Sequence, residues 1–269
     1  VYETAQAASL SLPGVANVIL PADCARGRVE QAEIVVTMLP AGKHVLAVWA
    51  YILPNIRPGT LLIDCSTIDV DSARKAHAMA AERGCLSLDA PVSGGVGGAK
   101  GATLTFMAGG SEEAFALGQP VLAKMGRRIV HCGPAGNGQA AKICNNMILG
   151  ISMIGVSEAF VLAEKLGLSH QALYDVASTS SGQCWSLTTY CPVPGPVPTS
   201  PANNDYKAGF ASALMLKDLK LSQEAAQATG ASTPLGAVAA QIYGIHNGWG
   251  EGGADFSAII HLLRGRPEA

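Results

Sequence analysis

From Gln139 to Leu166 the chain runs without a proline, and apolar residues fall on every side of the helix this stretch would form. A helix that is apolar all round must be buried in a core or inserted in a membrane. A membrane span needs ~20 apolar residues in succession, and Lys142, Asn145, Asn146 and Glu158 interrupt this run. The expectation is therefore a long central helix around which other helices pack, ended by Gly167 as its C-cap. No membrane partner is expected.

Ahead of that helix, short apolar runs alternate with helical stretches. Strands are predicted at Glu33–Pro40, Thr60–Asp64, Cys85–Ala90, Leu104–Ala108 and Arg128–His131, with helices over residues 42–53 and 70–83. Alternation of this kind implies βαβ units and a mostly parallel sheet. Ligands then bind beyond the carboxyl ends of the strands, where Leu39-Pro40, Ser66-Thr67 and Pro91–Gly95 stand. Beyond the central helix come helices near 169–178, 210–229, 233–247 and 255–264, and a Pro-, Ser- and Asn-rich loop over 180–206. The fold expected is α/β. A Rossmann-like parallel-sheet domain over 1–137 is joined by the long helix to an all-helical domain over 138–269.

Composition removes several classes of function. The 18 Lys plus Arg against 20 Asp plus Glu give a net charge of −2, with no basic surplus for nucleic-acid phosphates. At 49% hydrophobic and 14% charged, the chain is too apolar to be disordered. Its 7 cysteines form no CxxC pair and match no zinc spacing, and the histidines form no HExxH motif, so no metal site is expected. The cysteines are expected to be reduced and mostly buried. That suits a bacterial cytoplasm or a mitochondrial matrix. Val1 is not an initiator methionine, and the chain is expected to be a fragment or a processed form.

Three segments carry candidate chemistry. In Gly133-Pro-Ala-Gly136-Asn-Gly138-Gln-Ala-Ala-Lys142-Ile-Cys-Asn145-Asn146, a strand runs through a Gly-rich turn into a helix whose free N–H groups attract anions. Gly136-x-Gly138-x-x-Ala141 also fits a relaxed dinucleotide fingerprint. Such a fingerprint opens a βαβ unit of roughly 30 residues, whereas this one opens a long helix with no strand after it. Lys142 and Asn146 are i and i+4 and share a helix face. An amine beside an amide can hold a hydroxyl and move its proton; a solvated lysine beside a buried, satisfied asparagine is the competing explanation. Desolvation and a neighbouring cation would lower the amine's pKa far enough for it to act as a base. In Asp89-Ala-Pro91-Val92-Ser93-Gly94-Gly95-Val-Gly97-Gly98, exposed N–H groups beside a serine hydroxyl suit a carboxylate or phosphate, or form a plain loop. Leu216-Lys217-Asp218-Leu219-Lys220 lies on a predicted helix and is, alone, compatible with a solvated face.

Together these segments, in this order, resemble the β-hydroxyacid dehydrogenases, from about Val1 to Leu263. Residues 89–95 resemble the family's substrate loop. Gly133 to Asn146 resembles its catalytic helix, and Lys217-Asp218-Leu219 its cofactor-proximal motif. Ser180–Ser186, Tyr190–Gly195 and Lys207–Phe210 resemble the hydroxyisobutyrate-oxidising members more than the glyoxylate, tartronate-semialdehyde or imine reductases. The resemblance implies NAD as cofactor and oxidation of (S)-3-hydroxyisobutyrate, an intermediate of valine breakdown, to methylmalonate semialdehyde. It implies that Lys142 is the general base and that Asn146 orients it and the hydroxyl. Ser93, Gly94 and Gly95 would hold the carboxylate, with Trp185 and Phe210 lining the pocket. Leu39, Pro40, His44, Thr67 and Lys217 would contact the cofactor, and Glu3 its adenosine ribose, which favours NAD over NADP. The family's first strand, Gly-rich loop and helix have no counterpart ahead of Val1-Tyr2-Glu3. The sheet domain is thus expected to be truncated and the chain to bind NAD weakly. Two other functions remain open: a reductase of a related short hydroxyacid or semialdehyde, and an inert fragment or helical dimerisation module. The apolar helical half implies a homodimer or homotetramer.

Overall fold

The computed structural model describes Val29–Gly265. Two compact units result: one of the residues up to Val92 with Thr105–Gln139, the other of Ser93–Leu104 with the residues from Ala140 on.

In the first unit, β1 (Ile34–Thr37), β2 (Leu61–Asp64) and β3 (Leu86–Asp89) form a parallel ladder in that order, with Thr37, Asp64 and Asp89 in register at its carboxyl edge. All four residues of β2 are buried, as a central strand covered on both faces requires. The crossovers are α1 (Gly42–Ile52) and α2 (Val70–Glu82). Trp49 and Val45 of α1 pack with Val35, Leu62 and the small residues Ala73 and Ala76 of α2. Asp69 starts α2 by accepting a hydrogen bond from the Ser72 N–H at 2.7 Å, the role of an N-cap side chain.

Past β3 the sheet departs from the expected parallel order. β4 (Val92–Ser93), β5 (Leu104–Ala108) and β6 (Gly126–His131) form a second ladder, and Asp89 pairs with Gly109 in an antiparallel bridge. Between β4 and β5 stands only the six-residue α3 (Gly95–Lys100), too short for the helical crossover that parallel strands need. Neither α3 nor α4 (Glu112–Leu122) shows in the sequence pattern. Three of the six residues of α3 are glycine, and α4 carries Gly118 and Pro120 inside it, which mask helical periodicity.

The long helix forms as expected: α5 runs from Asn137 to Lys165. Asp89 holds its start. That carboxylate accepts from the Gly136 and Gln139 N–H groups at 2.8 Å each, and His77 Nε2 lies 2.9 Å from it. The anion at this helix N-terminus is therefore one of the protein's own side chains. Gly138 permits the approach, since a Cβ there would collide with the carbonyl oxygens of Met107 and Asp89. Gly167, at φ +75°, closes the far end while the Leu168 N–H bonds the Ala163 carbonyl at 2.9 Å.

In the second unit follow α6 (His170–Ala177), α7 (Trp185–Thr188), α8 (Ser212–Thr229), α9 (Pro234–Gly248) and α10 (Ile259–Arg264). Helix α7 interrupts the expected 180–206 loop. Among the described residues α5 is the helix long and apolar enough to cross a membrane. Its Met153 and Ile154 pack with Met215 and Leu219 of α8 and Tyr243 of α9, and its Phe160 packs with Leu187 and Ile260. Each of the six described cysteines is a free thiol: Cys65, Cys85 and Cys191 are buried, Cys132 and Cys184 half-buried, Cys144 exposed.

Asp89→Ala leaves two buried N–H groups unpaired and is expected to cost about 3 kcal/mol, within the range for hydrogen bonds to a charged group. Urea unfolding measures it, and a loss of only a few tenths would show that the carboxylate does not anchor α5.

Candidate active site

On α5, Lys142 and Asn146 stack one turn apart, and both are buried, at 6% and 1% exposure. Lys142 Nζ donates to Asn146 Oδ1 at 3.2 Å. The Asn146 amide in turn donates to Asp218 Oδ2 on α8 at 2.5 Å. The resulting chain, Lys142–Asn146–Asp218, orients the amide without ambiguity: its oxygen faces the amine and its nitrogen the carboxylate. Burial lowers the Lys142 pKa below the ordinary lysine value; Asp218 opposes that shift and Lys217 adds to it. Burial likewise raises Asp218, against the pull of Lys142 and the Asn146 hydrogen bond. The net shift makes the amine easier to deprotonate than an ordinary lysine, the direction a general base requires.

The sequence singled out Lys217 in this motif and passed over Asp218. The missed signal is the helix stripe: Ser212, Met215, Asp218, Leu219 and Ser222 are the buried positions along α8, and an aspartate at apolar spacing calls for a partner.

The proposed substrate residues lie in the same unit as this chain of bonds. Ser93 ends β4, Gly94 sits at φ +134° and Gly95 at φ +60°. A Cβ on Gly95 would stand 3.1 Å from the Gly209 carbonyl oxygen, so this loop packs against the segment that leads into Phe210. Trp185 stacks on Tyr190 with ring centroids 4.8 Å apart, Tyr190 on Phe256 at 5.2 Å, and Phe210 meets Phe256 edge-on at 5.8 Å. Trp185 and Phe210 are thereby joined in one aromatic wall, although Trp185 keeps 48% of its surface exposed. The hydroxyls of Ser152 on α5 and Ser186 beside Trp185 lie 3.3 Å apart and tie the wall to α5.

In the first unit, the Leu39 N–H donates to Ser66 Oγ at 2.7 Å, and Ser66 Oγ donates to Asp64 Oδ1 at 2.7 Å. Thr37 bonds the same oxygen at 2.7 Å. Burial raises the Asp64 pKa while these hydroxyls oppose the shift. Gln139, fully buried, accepts from the Ile68 N–H at 3.0 Å and donates to the Ser66 carbonyl at 2.7 Å. Leu39 and Thr67 thus stand on neighbouring strand ends that are fixed from below. Pro40 and His44 are exposed beside them. Lys217 belongs to the other unit. Glu3 lies outside the described residues. Among the described residues no group of three or more His, Cys, Asp or Glu could hold a metal ion.

A parallel α/β sheet followed by a helical unit with a buried lysine is an architecture that suits a nicotinamide-dependent oxidoreductase. Comparisons with known proteins narrow this. The family profile described as "NAD-binding of NADP-dependent 3-hydroxyisobutyrate dehydrogenase" matches residues 136–263. The profile of the NAD binding domain of 6-phosphogluconate dehydrogenase matches 2–133. A Mycobacterium tuberculosis protein named "Probable 3-hydroxyisobutyrate dehydrogenase" is 56% identical over 241 residues, covering 90% of this chain and 82% of its own length. An NAD-dependent L-serine dehydrogenase of Pseudomonas aeruginosa is 47% identical over 242 residues, covering 89% of this chain and 81% of its own. The solved structure of the M. tuberculosis 3-hydroxyisobutyrate dehydrogenase with L-serine matches with a TM-score of 0.90 at 52% identity, covering 97% of this chain and 88% of that one. The chain belongs to the 3-hydroxyisobutyrate dehydrogenase family. It is an NAD-dependent oxidoreductase of the β-hydroxyacid dehydrogenase type.

The first unit suits the cofactor. Its parallel ladder ends where Met38, 61% exposed, and Pro40 flank Leu39, whose N–H is tied to Ser66 at the end of the next strand, and ligands of such sheets bind beyond the carboxyl ends of the strands.

We propose that Lys142 accepts the proton of the substrate hydroxyl, which it can do only when neutral; kcat/KM should then rise with pH through an inflection below the ordinary lysine value. Asp218→Asn removes the attraction that holds the proton on Lys142, so the inflection should move to lower pH. A pH profile of the variant with its inflection unmoved or raised would contradict the coupling.

Proposed function

We propose that the chain oxidises (S)-3-hydroxyisobutyrate to methylmalonate semialdehyde, a step of valine breakdown, and prefers NAD to NADP. The observation that carries this is the buried Lys142–Asn146–Asp218 chain in the same unit as the Ser93–Gly95 loop and the aromatic wall. Bound NAD supplies the hydride acceptor. Ser93, Gly94 and Gly95 take the substrate carboxylate with a hydroxyl and backbone N–H groups. The neutral Lys142 amine accepts the proton of the substrate hydroxyl as the carbon beside it loses hydride, leaving an aldehyde and an ammonium. Asn146, fixed by Asp218, keeps the amine aimed at that hydroxyl. Trp185 and Phe210 shelter the 2-methyl group and keep water from the reacting carbon. Leu39, Pro40, His44, Thr67 and Lys217 hold the cofactor, and Glu3 its adenosine ribose.

L-serine is the second candidate substrate. It differs only in carrying an ammonium where hydroxyisobutyrate has a methyl, and both a relative's name and the ligand of a similar structure point to it. We also propose that the chain self-associates as a homodimer or homotetramer. Ile148, Leu162 and Leu166 of the α5 segment and Leu235, Val238 and Ile245 of α9 are exposed, an apolar surface that a second copy would cover.

NADH formation with (S)-3-hydroxyisobutyrate, L-serine, glycerate and 3-hydroxypropionate ranks the substrates, and hydroxyisobutyrate should have the highest kcat/KM. Lys142→Ala should lower kcat roughly a hundredfold or more with NAD binding little changed. Ser93→Ala should raise KM about tenfold, the loss of one hydrogen bond to a charged group. Activity within a few-fold of wild type in Lys142→Ala would contradict the assignment of the base.

A further inference from the structure

Asp255 precedes the short 3-10 turn Phe256–Ala258 and is fully buried. Nothing in the proton transfer calls for it, yet five donors converge on its two oxygens. Oδ1 accepts from the Ser257 N–H at 3.0 Å and the Ser257 hydroxyl at 2.7 Å. Oδ2 accepts from the Tyr190 hydroxyl at 2.9 Å, the Gly209 N–H at 2.9 Å and the Phe210 N–H at 3.1 Å. The backbone closes the same junction. Asp255 N–H donates to the Tyr206 carbonyl and Phe256 N–H to the Phe210 carbonyl, both at 2.9 Å, and Ala211 pairs with Asp255 in an antiparallel bridge.

Of the three donors on Oδ2, Phe210 belongs to the proposed substrate pocket, and Tyr190 and Gly209 touch its other members. Tyr190 carries the ring on which Trp185 stacks. Phe210 meets Phe256 edge-on. Gly209 turns its carbonyl to Gly95, where a Cβ would stand 3.1 Å away. One carboxylate oxygen therefore fixes two members of the aromatic wall and the segment against which the substrate loop packs. Burial, reinforced by Asp255, holds the Tyr190 hydroxyl well above its usual pKa, so it stays a donor. Only a carboxylate meets this demand. An asparagine would turn an N–H group towards donors on one side and leave them unpaired.

We propose that Asp255 is a positioning residue for substrate: it sets the Trp185–Tyr190 wall, Phe210 and, through Gly209, the seat of the Ser93–Gly95 loop. The proposal rests on the assignment of those residues to the substrate pocket. Asp255→Asn should raise KM for (S)-3-hydroxyisobutyrate about tenfold, with kcat and the KM for NAD within about threefold. A purely structural role would lower the fraction of active enzyme, and so kcat, with KM unmoved; that result would overturn the proposal. In the Asp255→Asn background Tyr190→Phe should add little, because the bond it removes is already broken; fully additive effects would also overturn it. Should Asp255→Asn fail to fold, Gly209→Ala tests the same junction, since its methyl would meet the Tyr190 hydroxyl at 2.6 Å. It too should raise KM, and an unchanged KM would count against the proposal. Wild type run alongside separates two failures. No hydroxyacid turnover by wild type contradicts the pocket assignment and this inference with it, whereas wild-type turnover with KM unmoved in the variants contradicts Asp255 alone.

Discussion

An amine enclosed in an apolar helix must either lose its charge or find a counter-charge. At Lys142 both pressures act, and burial is the larger. Burial drives the proton off, and Asp218 draws it back. Asn146 stands between them and bonds to both. Asp218 attracts the amine by its charge, while the neutral Asn146 amide makes the hydrogen bonds to both groups. A bidentate ion pair in the same place would have held the lysine protonated and made it a poor base.

Buried carboxylates recur at the junctions that matter. Asp89 holds the start of α5 through two N–H groups. Asp64 fixes the Leu39 segment through Ser66. Asp218 sets Asn146, and Asp255 gathers the aromatic wall. Each is at most 4% exposed. The donors on Asp64, Asp89 and Asp255 come from backbone N–H groups and neutral side chains, with a histidine on Asp89. A carboxylate accepts several short hydrogen bonds at once, so a single residue can lock two or three chain segments. That economy suits a chain rich in small residues, with few large side chains to wedge loops in place.

Much of this was legible beforehand, for identifiable reasons. The proline-free run from Gln139 and the β-branched strands gave the long helix and the parallel β1–β2–β3 ladder, because periodicity and length are local properties. Lys142 and Asn146 stood out because i and i+4 on one helix have to face the same way. Helices α3 and α4 escaped because their glycines and Pro120 erase the periodic signal. The antiparallel bridge at Asp89–Gly109 escaped because pairing direction depends on contacts distant in sequence. The four aspartates were hidden for a related reason. In sequence an aspartate beside a lysine reads as surface charge, and only the buried stripe of α8 marks Asp218 as internal. The anion attraction expected at the Gly133–Gly138 turn was correct in physics, but Asp89 rather than a ligand answers it.

The most direct measurement is a crystal structure with NAD and (S)-3-hydroxyisobutyrate bound. The substrate hydroxyl oxygen should lie about 3 Å from Lys142 Nζ, with Asn146 still bonded to both Lys142 and Asp218. A hydroxyl seated out of reach of that amine, with another base at its side, would contradict the assignment of Lys142 and the chemistry built on it.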